Sequence, residues 1–280
     1  MIQDKFMILL VASLKDIAGM NIVHQLITNY PFKQTKESTT KNPIYYSCIN
    51  NKKVLLKIIK EEITNTQNLP ESFKNLNLIV FISRHCSSSG KPTFSVHTPG
   101  NINMAQMGGL PKTLSISPAQ TMQNALKALE YLRDGSKLDF EVSYECTHHG
   151  PSLNIPTMFI ELGSSKTQWH NSKAAKIVAH AAIHAISKFN ISKKTAAIGI
   201  GGTHYNRKFT NLALNSDTIF GHIIPKYLIQ YLDSEILNQC REKTLEKIDS
   251  SILDWKGIKS SDKPQLLKAL KDINLPYKKI

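Results

Sequence analysis

Ten histidines are spread along this 280-residue chain, and several follow apolar runs at points where a strand would end. Imidazole is the most common metal ligand and the most common general base, so such positions are candidates for catalysis. The most suggestive segment, Glu145–Gly150, reads Glu-Cys-Thr-His-His-Gly. It offers the Glu145 carboxylate and two adjacent imidazoles, His148 and His149. The segment therefore predicts either a metal or acid–base centre, or a histidine pair in a polar turn.

A second segment ends another candidate strand with Gly201, Gly202, Thr203, His204 and Tyr205. Glycines allow a tight turn, and the N–H groups of such a turn can hold an anion or a developing oxyanion. His204 and Tyr205 add groups that transfer protons. The spacing fits neither a P-loop nor a dinucleotide-binding fingerprint. An active-site turn and an ordinary strand-ending turn both remain open.

Other strand ends also carry polar groups. Arg84 and His85 follow one candidate strand, and a guanidinium can hold a phosphate or carboxylate through two parallel hydrogen bonds. His97 precedes a Thr-Pro-Gly-Asn turn. Glu161 lies near the end of a further strand, where it would be a ligand or a base. A turn that leads into a short helix is the alternative for Glu161.

Three other patterns are weaker. His180 and His184 have the i, i+4 spacing of a metal site on a helix, but the glutamate of a zinc-protease helix is missing, so we interpret them as surface or packing residues. Cys86 and Cys146 each lie close to a histidine, which leaves a cysteine–histidine hydrolase open. An inert buried thiol is the better interpretation of Cys146. No GxSxG motif of an ordinary serine hydrolase occurs.

The elements that must position these groups alternate between β-branched apolar runs and helical patterns, which predicts an α/β fold. The predicted strands are Met7–Ala12, Ile44–Ile49, Val54–Ile58, Leu78–Ser83, Thr93–His97, Phe140–Cys146, Thr157–Leu162 and Thr195–Ile200. The predicted helices are Ile17–Thr28, Ala119–Leu132, Lys173–Phe189, Ser234–Ile248 and Pro264–Ile273.

The length suits either one α/β catalytic domain (1–232) with a helical C-terminal extension (233–280) packed on it, or one single domain. The four cysteines form no CxxC pair, which argues against a zinc ribbon and a disulfide framework. No apolar run is long enough to span a membrane, and Lys15 and Asp16 follow the short apolar start. We therefore expect a cytoplasmic protein without a membrane partner.

The chain carries 35 basic and 21 acidic side chains, a net charge of +14. Eight basic residues and one acidic residue lie in 161–210, next to the candidate site. A polyanion partner would be attracted to such a segment, although a solvated lysine-rich surface has the same composition. Five of these residues are predicted to contact RNA phosphates: Lys166, Lys173, Lys176, Arg207 and Lys208.

Taken in order, the motifs of the chain resemble the D-aminoacyl-tRNA deacylases of the archaeal and plant type. The resemblance extends from the first strand to about Tyr231. The Thr-His-His-Gly-Pro and Gly-Gly-Thr-His-Tyr motifs are its most specific part. The matching segments are 83–85, 97–101, 108–109, 145–151, 161–164, 201–205, Gly221-His222 and Pro225-Lys226-Tyr227.

The resemblance implies a hydrolase that cleaves the ester between a D-amino acid and the 3′ end of tRNA, which keeps D-residues out of translation. It implies one or two Zn²⁺ ions, a monomer, and tRNA as the partner; no obligate protein partner is predicted. It also implies a mixed central sheet with helices on both faces, related to phosphorylase-like and peptidyl-tRNA-hydrolase-like folds.

We assign three groups of site residues on this basis, although the division between ligands and proton carriers stays open. The catalytic candidates are His148, His149, His204 and Glu145. The metal-ligand candidates are His97, His148, His204 and Glu161. The substrate-binding candidates are Arg84, His85, Gly201, Gly202, Thr203, Tyr205 and His222.

Three other functions compete with this one. The first is another hydrolase of RNA-linked esters or amides, such as a peptidyl-tRNA hydrolase. The second is a phosphorylase-like enzyme that acts on nucleosides. The third is an RNA-binding protein without catalysis, which the aromatic share of only 8% disfavours because RNA-binding surfaces stack bases on aromatic rings.

Overall fold

The computed structural model describes residues 6–39, 43–191 and 193–280. Its α-helices are α1 (Ile17–Asn29), α2 (Ala119–Ser136), α3 (Lys166–Trp169), α4 (Ser172–Lys188), α5 (Arg207–Asn215), α6 (Ser234–Glu242) and α7 (Lys263–Asp272). Its strands are β1 (Phe6–Ser13), β2 (Lys33–Gln34), β3 (Ile44–Ile49), β4 (Lys52–Ile59), β5 (Leu76–Arg84), β6 (Thr93–His97), β7 (Gly100–Asn101), β8 (Thr113–Leu114), β9 (Glu141–Tyr144), β10 (Thr157–Gly163), β11 (Thr195–Ile200), β12 (Phe220–Ile224), β13 (Lys247–Leu253) and β14 (Tyr277–Lys279).

Eight strands form one mixed sheet in the order β2-β3-β4-β1-β5-β10-β6-β9. Strand β1 runs parallel to both of its neighbours, and β10 runs parallel to β5. Strand β6 is antiparallel to β10, while β3 is antiparallel to β4. The central strands β1, β5 and β10 are almost continuously apolar, as expected for strands buried on both faces.

The two faces of this sheet are covered differently. Alternate residues such as Ile8, Leu10 and Val80 pack in the main core, together with the apolar sides of α1, α2 and α4. The residues between them, such as Leu9 and Phe81, face short 3₁₀ helices and loops. The mixed sheet is as predicted, but its long helices lie on one face; the second face holds the site described below.

A second sheet spans the predicted boundary at 232/233. It has the order β12-β11-β13-β14, and all of its neighbouring strands are parallel. Strands from both predicted segments therefore share one sheet. The predicted helices at the C-terminus are present, but the helix predicted over Ser234–Ile248 is too long, because α6 ends at Glu242. Pairing with β11, which the local sequence does not reveal, makes Lys247–Leu253 a strand.

The other predicted helices and strands are present with small shifts at their ends. The elements that were not predicted are β2, β7, β8, β12, β13, β14, α3 and α5. Asp16 caps α1 by accepting a hydrogen bond from the Gly19 N–H at 2.8 Å. A distant residue caps α2: the Glu246 carboxylate accepts hydrogen bonds from the N–H groups of Ala119 and Gln120. Among the described residues, no helix has the length and apolarity needed to cross a membrane.

Candidate active site

A cavity of about 580 Å³ lies where β1, β5 and β10 end. Because these three strands are parallel neighbours, their carboxyl ends meet at one edge of the sheet, which is where α/β proteins place ligands. The histidines and carboxylates that line the cavity are Asp16, Glu62, His85, His148, His149, Glu161 and His204. Residues that are far apart in sequence therefore meet at one site.

Strand register explains why several of these groups face the same way. Glu161 of β10 pairs with Ser83 of β5, and Phe159 pairs with His97 of β6. Residues that pair across neighbouring strands point to the same face, and residues two apart on one strand do so too. All four side chains therefore lie on the face away from the long helices. The Ser83 hydroxyl donates a hydrogen bond of 2.6 Å to Glu161 Oε1.

The carboxylate of Glu145 is at the centre of the site, and its side chain is inaccessible to solvent. Its Oε2 accepts a hydrogen bond of 2.8 Å from His204 Nε2, and its Oε1 lies 3.1 Å from His85 Nδ1. Burial opposes ionisation, but the hydrogen bond with His204 and the ion pair with His85 outweigh it and hold the pKa of Glu145 well below its usual range. Glu145 is therefore an anion.

His85 joins the two buried carboxylates. Its Nδ1 lies 3.1 Å from Glu145 Oε1 and 3.3 Å from Glu161 Oε2, and its Nε2 pairs with the hydroxyl of Tyr205. Burial disfavours the imidazolium, but hydrogen bonds to both glutamates raise the pKa of His85 to about 12. Burial likewise opposes ionisation of Glu161, yet its hydrogen bond with His85 helps to lower its pKa to about 2. His85 is thus a buried cation between two anions.

Three other histidines form a cluster beside this ion pair. The ring centroid of His148 lies 4.4 Å from that of His97 and 4.3 Å from that of His149, and His97 stacks on Phe159. Burial lowers the pKa of His149 to about 4 and that of His148 well below its usual range, and the neighbouring imidazoles add to both shifts. The pair is therefore neutral at pH 7.

The tautomers of this cluster are determined by backbone carbonyls. His148 Nδ1 donates to the Cys146 carbonyl at 2.8 Å, and His149 Nδ1 donates to the Gly150 carbonyl at 2.7 Å. His97 Nδ1 faces the Thr98 carbonyl at 3.4 Å. Nε2 of His148 and of His149 is thereby left with a lone pair, and that of His148 lies 3.6 Å from Glu145 Oε2. His97 Nε2 is buried without a hydrogen-bond partner among the described residues and lies 3.7 Å from Glu161 Oε2. Such bonds to Nδ1 are typical of histidines that bind a metal through Nε2.

The remaining face of the site holds His204, Cys146 and Tyr227. His204 Nδ1 lies 3.1 Å from the Tyr227 hydroxyl and 3.2 Å from Cys146 Sγ. Burial lowers the pKa of His204, but its contacts with Cys146 and Glu145 have the opposite and larger effect, so that the pKa rises to about 10. Tyr227 is not among the site residues predicted from the sequence, although it belongs to the matching Pro-Lys-Tyr motif. Cys146 was predicted to be an inert buried thiol. Cys146 is indeed buried, but it contacts a site histidine.

The metal ligands group differently from the predicted set. Ligand atoms of His97, His148 and His149 lie within 4.8 Å of one another, and so do those of Cys146, His148 and His204. Glu161 instead groups with His85 and Glu145. The predicted ligands His97, His148, His204 and Glu161 therefore do not form one cluster: His148 belongs to both histidine groups, whereas Glu161, which lies 3.7 Å from His97 Nε2, groups with His85 and Glu145.

The glycine turn has a structural role. Gly201 and Gly202 have φ values of 110° and 77°, and the Gly201 N–H donates to the Ile224 carbonyl at 2.8 Å. The Gly201 N–H is therefore not free to bind a substrate oxyanion. Thr203 is exposed and donates its hydroxyl hydrogen bond to the Tyr205 carbonyl. The turn thus places His204 and Tyr205 rather than contacting the cavity itself.

His222 is a buried support residue, not a substrate-binding residue. Its Nε2 donates to the Lys243 carbonyl at 2.9 Å, and its Nδ1 lies 3.2 Å from the Thr147 hydroxyl. Burial lowers the pKa of His222 to about 4, so the ring is neutral. It positions Thr147, the residue before the His148–His149 pair, from behind.

The predicted phosphate contacts are only partly supported. Arg84 lines the cavity, but its guanidinium donates to the Lys15 carbonyl at 2.9 Å and pairs with Glu62 at 3.3 Å. Arg207 pairs with Glu141 at 2.9 Å and Lys208 with Asp254 at 2.5 Å, which reduces their net charge toward a ligand. Lys166, Lys173 and Lys176 are exposed on α3 and α4.

Two comparisons with known proteins name the same family, and a third finds a solved structure with the same fold. A family model described as D-aminoacyl-tRNA deacylase matches residues 72–278. A D-aminoacyl-tRNA deacylase of Thermococcus onnurineus is 38% identical over 91% of this chain and 93% of its own length; that of Methanocaldococcus jannaschii is 32% identical over 97% and 99%. The crystal structure of a conserved protein of unknown function superposes with a TM-score of 0.87 at 31% identity, covering 98% of this chain and 95% of that one.

Proposed function

This chain belongs to the D-aminoacyl-tRNA deacylase family, and on that premise we infer that its histidine–carboxylate site hydrolyses the ester between a D-amino acid and tRNA. The products are a free D-amino acid and tRNA. The observation that carries the assignment of the site is the meeting of His85, His148, His149, His204 and Glu161 in one cavity, with Glu145 buried behind them.

The side chains of the cavity suit an aminoacyl ester. Its walls carry three carboxylates (Asp16, Glu62 and Glu161) and three cations (Arg84, His85 and His204), so charged partners are present for both the α-ammonium group and the polar ester of an aminoacyl substrate. Phe159 and Ile63 supply apolar surface for a side chain. An ester of this kind is already activated, so modest acid–base catalysis is sufficient.

His204 is placed to act on the leaving group. It carries a positive charge at neutral pH because Glu145 and Cys146 stabilise the imidazolium, and it lines the cavity. We assign to His204 the proton that the ribose oxygen needs when the ester breaks. Glu145 orients the ring, and the His85 cation, which lies between Glu145 and Glu161, stabilises the ionised form of both.

The cluster of His97, His148 and His149 fits a zinc ion, because their Nδ1 atoms face carbonyls and the Nε2 of His97 is buried without a partner among the described residues. These three imidazoles would hold it, and their low pKa values keep two of them neutral, as ligation requires. When bound, zinc supplies Lewis acidity that polarises a carbonyl and makes water more acidic.

We further propose that the protein works as a monomer in the cytoplasm, where aminoacyl-tRNA is used, and that exposed lysines of α3 and α4 attract the phosphates of tRNA. The basic net charge supports this proposal, and binding should weaken as salt increases. Size-exclusion chromatography with light scattering tests the monomer.

The decisive experiment is a deacylation assay with D-tyrosyl-tRNA, L-tyrosyl-tRNA and N-acetyl-D-tyrosyl-tRNA, with and without a chelator. We expect selective cleavage of the D-ester with a free amino group. Equal cleavage of the D- and L-esters would contradict the chirality assignment, and preference for the N-acetyl ester would favour a peptidyl-tRNA hydrolase. Activity that resists complete chelation would remove zinc from the proposal but leave the substrate.

The site assignment has its own control. His204→Gln should lower kcat for D-tyrosyl-tRNA by roughly 100-fold, since a general acid is lost. His24→Gln removes an exposed imidazole from α1 and should leave kcat unchanged. Equal activity of the two variants would contradict the assignment of His204.

A further inference from the structure

A second cavity, of about 270 Å³, borders the same pair of imidazoles, His148 and His149. It shares Met107, His148 and His149 with the larger cavity, so the histidine pair borders both. An ester has two sides, an acyl group and an alcohol. An enzyme that attacks the carbonyl between them must hold one on each side of its reacting groups.

We propose that this smaller cavity binds the base of the 3′-terminal nucleoside of tRNA. The amides of Asn103 and Gln106 would bind the edge of the base, and Met104 and Leu228 would pack against its face. The inference rests on the proposed function and names the part of the substrate that each cavity holds.

The charges of the two cavities support this division. The larger cavity is lined by charged groups of both signs, the carboxylates of Asp16, Glu62 and Glu161 and the cations of Arg84, His85 and His204, which suit the charged and polar aminoacyl end of the substrate. Apart from the shared histidines, the residues described around the smaller cavity are all uncharged. A nucleobase is also uncharged, and placing it beside buried carboxylates would only cost them solvation.

The polar groups of the smaller cavity include two that are free. The side-chain amides of Asn103 and Gln106 make no hydrogen bond to any residue of the described ranges, whereas that of Asn101 donates to the carbonyls of Gly108 and Leu110. Asn and Gln amides match the donor and acceptor pair on the edge of adenine, the base that ends every tRNA.

The apolar groups of the cavity are unusually exposed. Met104 is 66% and Met107 62% exposed, and Tyr227 is 44% exposed. Exposed apolar side chains grouped beside an active site indicate a binding surface. Proteins hold an extruded base by packing apolar or aromatic side chains against its faces. Amide side chains can form hydrogen bonds with the edge of the same base.

The loop that carries these residues is held in place against the catalytic turn. The Gly150 N–H donates to the Met107 carbonyl at 3.0 Å. Gly108 and Gly109 have φ values of 72° and 77°, and their backbone approaches Gly150 so closely that a Cβ there would lie 2.2 Å from Gly109 N. The cavity is therefore formed before the substrate arrives.

The test uses two hairpin RNAs that copy a tRNA acceptor stem, one ending in CCA and one with an abasic last nucleotide. Because their phosphates are identical, only the terminal base differs. Fluorescence anisotropy measures binding to the full chain. We expect the abasic hairpin to bind roughly tenfold more weakly to the wild type, the size of effect typical for loss of one stacked base.

The double variant Asn103→Ala/Met104→Ala should bind both hairpins equally, and Tyr131→Ala, which removes a side chain that is 79% exposed on α2, should keep the tenfold preference. Equal or undetectable binding of both hairpins to the wild type overturns the inference, and so does a preference that survives in the double variant. Hydrolysis of D-tyrosyl-tRNA by the same preparations tests the proposed function separately.

Discussion

Glu145 Oε2 accepts a hydrogen bond of 2.8 Å from His204 Nε2, although 59 residues separate them in sequence. The contact joins the end of β9 in the large sheet to the turn after β11 in the second sheet. An isolated bridge between Glu145 and Tyr205 brings the two backbones together at the same place. The carboxylate therefore fixes an imidazole that belongs to another layer of the fold.

Replacing this carboxylate should disable the site. Glu145→Gln keeps the size of the side chain but removes the charge that stabilises the His85 and His204 cations, so kcat for D-tyrosyl-tRNA should fall roughly 100-fold or more. Glu141→Gln is the matched control, because Glu141 is an exposed carboxylate on the same strand. A kcat for Glu145→Gln within threefold of the control would refute the proposed role.

The thiol next to His204 should be dispensable for chemistry. Cys146 is fully buried and is not among the residues that line the large cavity, so Cys146→Ala should keep kcat within roughly tenfold of the wild type. A covalent cysteine mechanism predicts instead a loss of roughly 10⁴-fold or more, together with a burst of acyl-enzyme. Cys240→Ala, which removes another fully buried thiol, controls for the cavity created in the core.

Zinc content should depend on the three-histidine cluster. His97→Ala and His149→Ala should bind less zinc than the wild type by elemental analysis, and chelation should lower the Tm of the wild type more than theirs, since a ligand of the native state stabilises it. The control is His180→Ala/His184→Ala, which removes an i, i+4 histidine pair on α4. If the His180→Ala/His184→Ala variant lost zinc while His97→Ala and His149→Ala kept it, the zinc would have been bound by the histidine pair on α4 and not by the cluster.

Stability should fall in acid partly through His222. The pKa of His222 is about 4 in the folded chain, compared with an ordinary value of 6.5. Between pH 4 and pH 6.5 the ring is therefore protonated in the unfolded chain but neutral in the folded chain. The free energy of unfolding should therefore decrease as the pH falls through this window, by roughly 2 kcal/mol from pH 7 to pH 5.

Urea unfolding at pH 7 and pH 5 measures this decrease. His222→Gln can still donate to Lys243 and accept from Thr147, but it does not titrate, so its decrease should be smaller. His24→Gln, an exposed control, should behave as the wild type. An unchanged pH dependence in His222→Gln would show that this ring is not the group responsible.

Close packing at Gly150 should make it intolerant of a side chain. A Cβ there would meet the backbone of Gly108 and Gly109, which cannot move aside like the end of a flexible side chain. We expect Gly150→Ala to lose roughly 1–3 kcal/mol of unfolding free energy and most of its activity, since His149 moves with it. Gly135→Ala meets nothing within 4 Å in α2 and should be neutral or stabilising.

The sequence was informative where local pattern determines structure. The strands β3, β6 and β11 have the predicted bounds, because short β-branched runs between turn residues define them. Several of the histidines and glutamates that the sequence places near strand ends line one cavity, since parallel strands place their carboxyl ends at one edge. These two regularities were sufficient to place most of the cavity.

Other features depend on contacts that no local pattern encodes. The helical pattern predicted through Ile248 is overridden by pairing of β13 with β11, and α2 is capped by Glu246 from 127 residues away. Likewise, Gly201 and His222 were predicted to bind substrate because glycine and histidine are common residue types in binding sites. Only the partners of their N–H groups, Ile224 and Lys243, identify them as structural.

The second sheet has a consequence for the order in which the molecule is made. Strand β11, which leads into His204, has β12 on one side and β13 on the other. Residues 247–253 leave the ribosome long after the strands of the large sheet have been synthesised. A nascent chain therefore already contains all ten histidines before β13, which pairs with the strand leading into His204, has been made. Catalytic competence should therefore arise late in translation, as one of the last steps of folding.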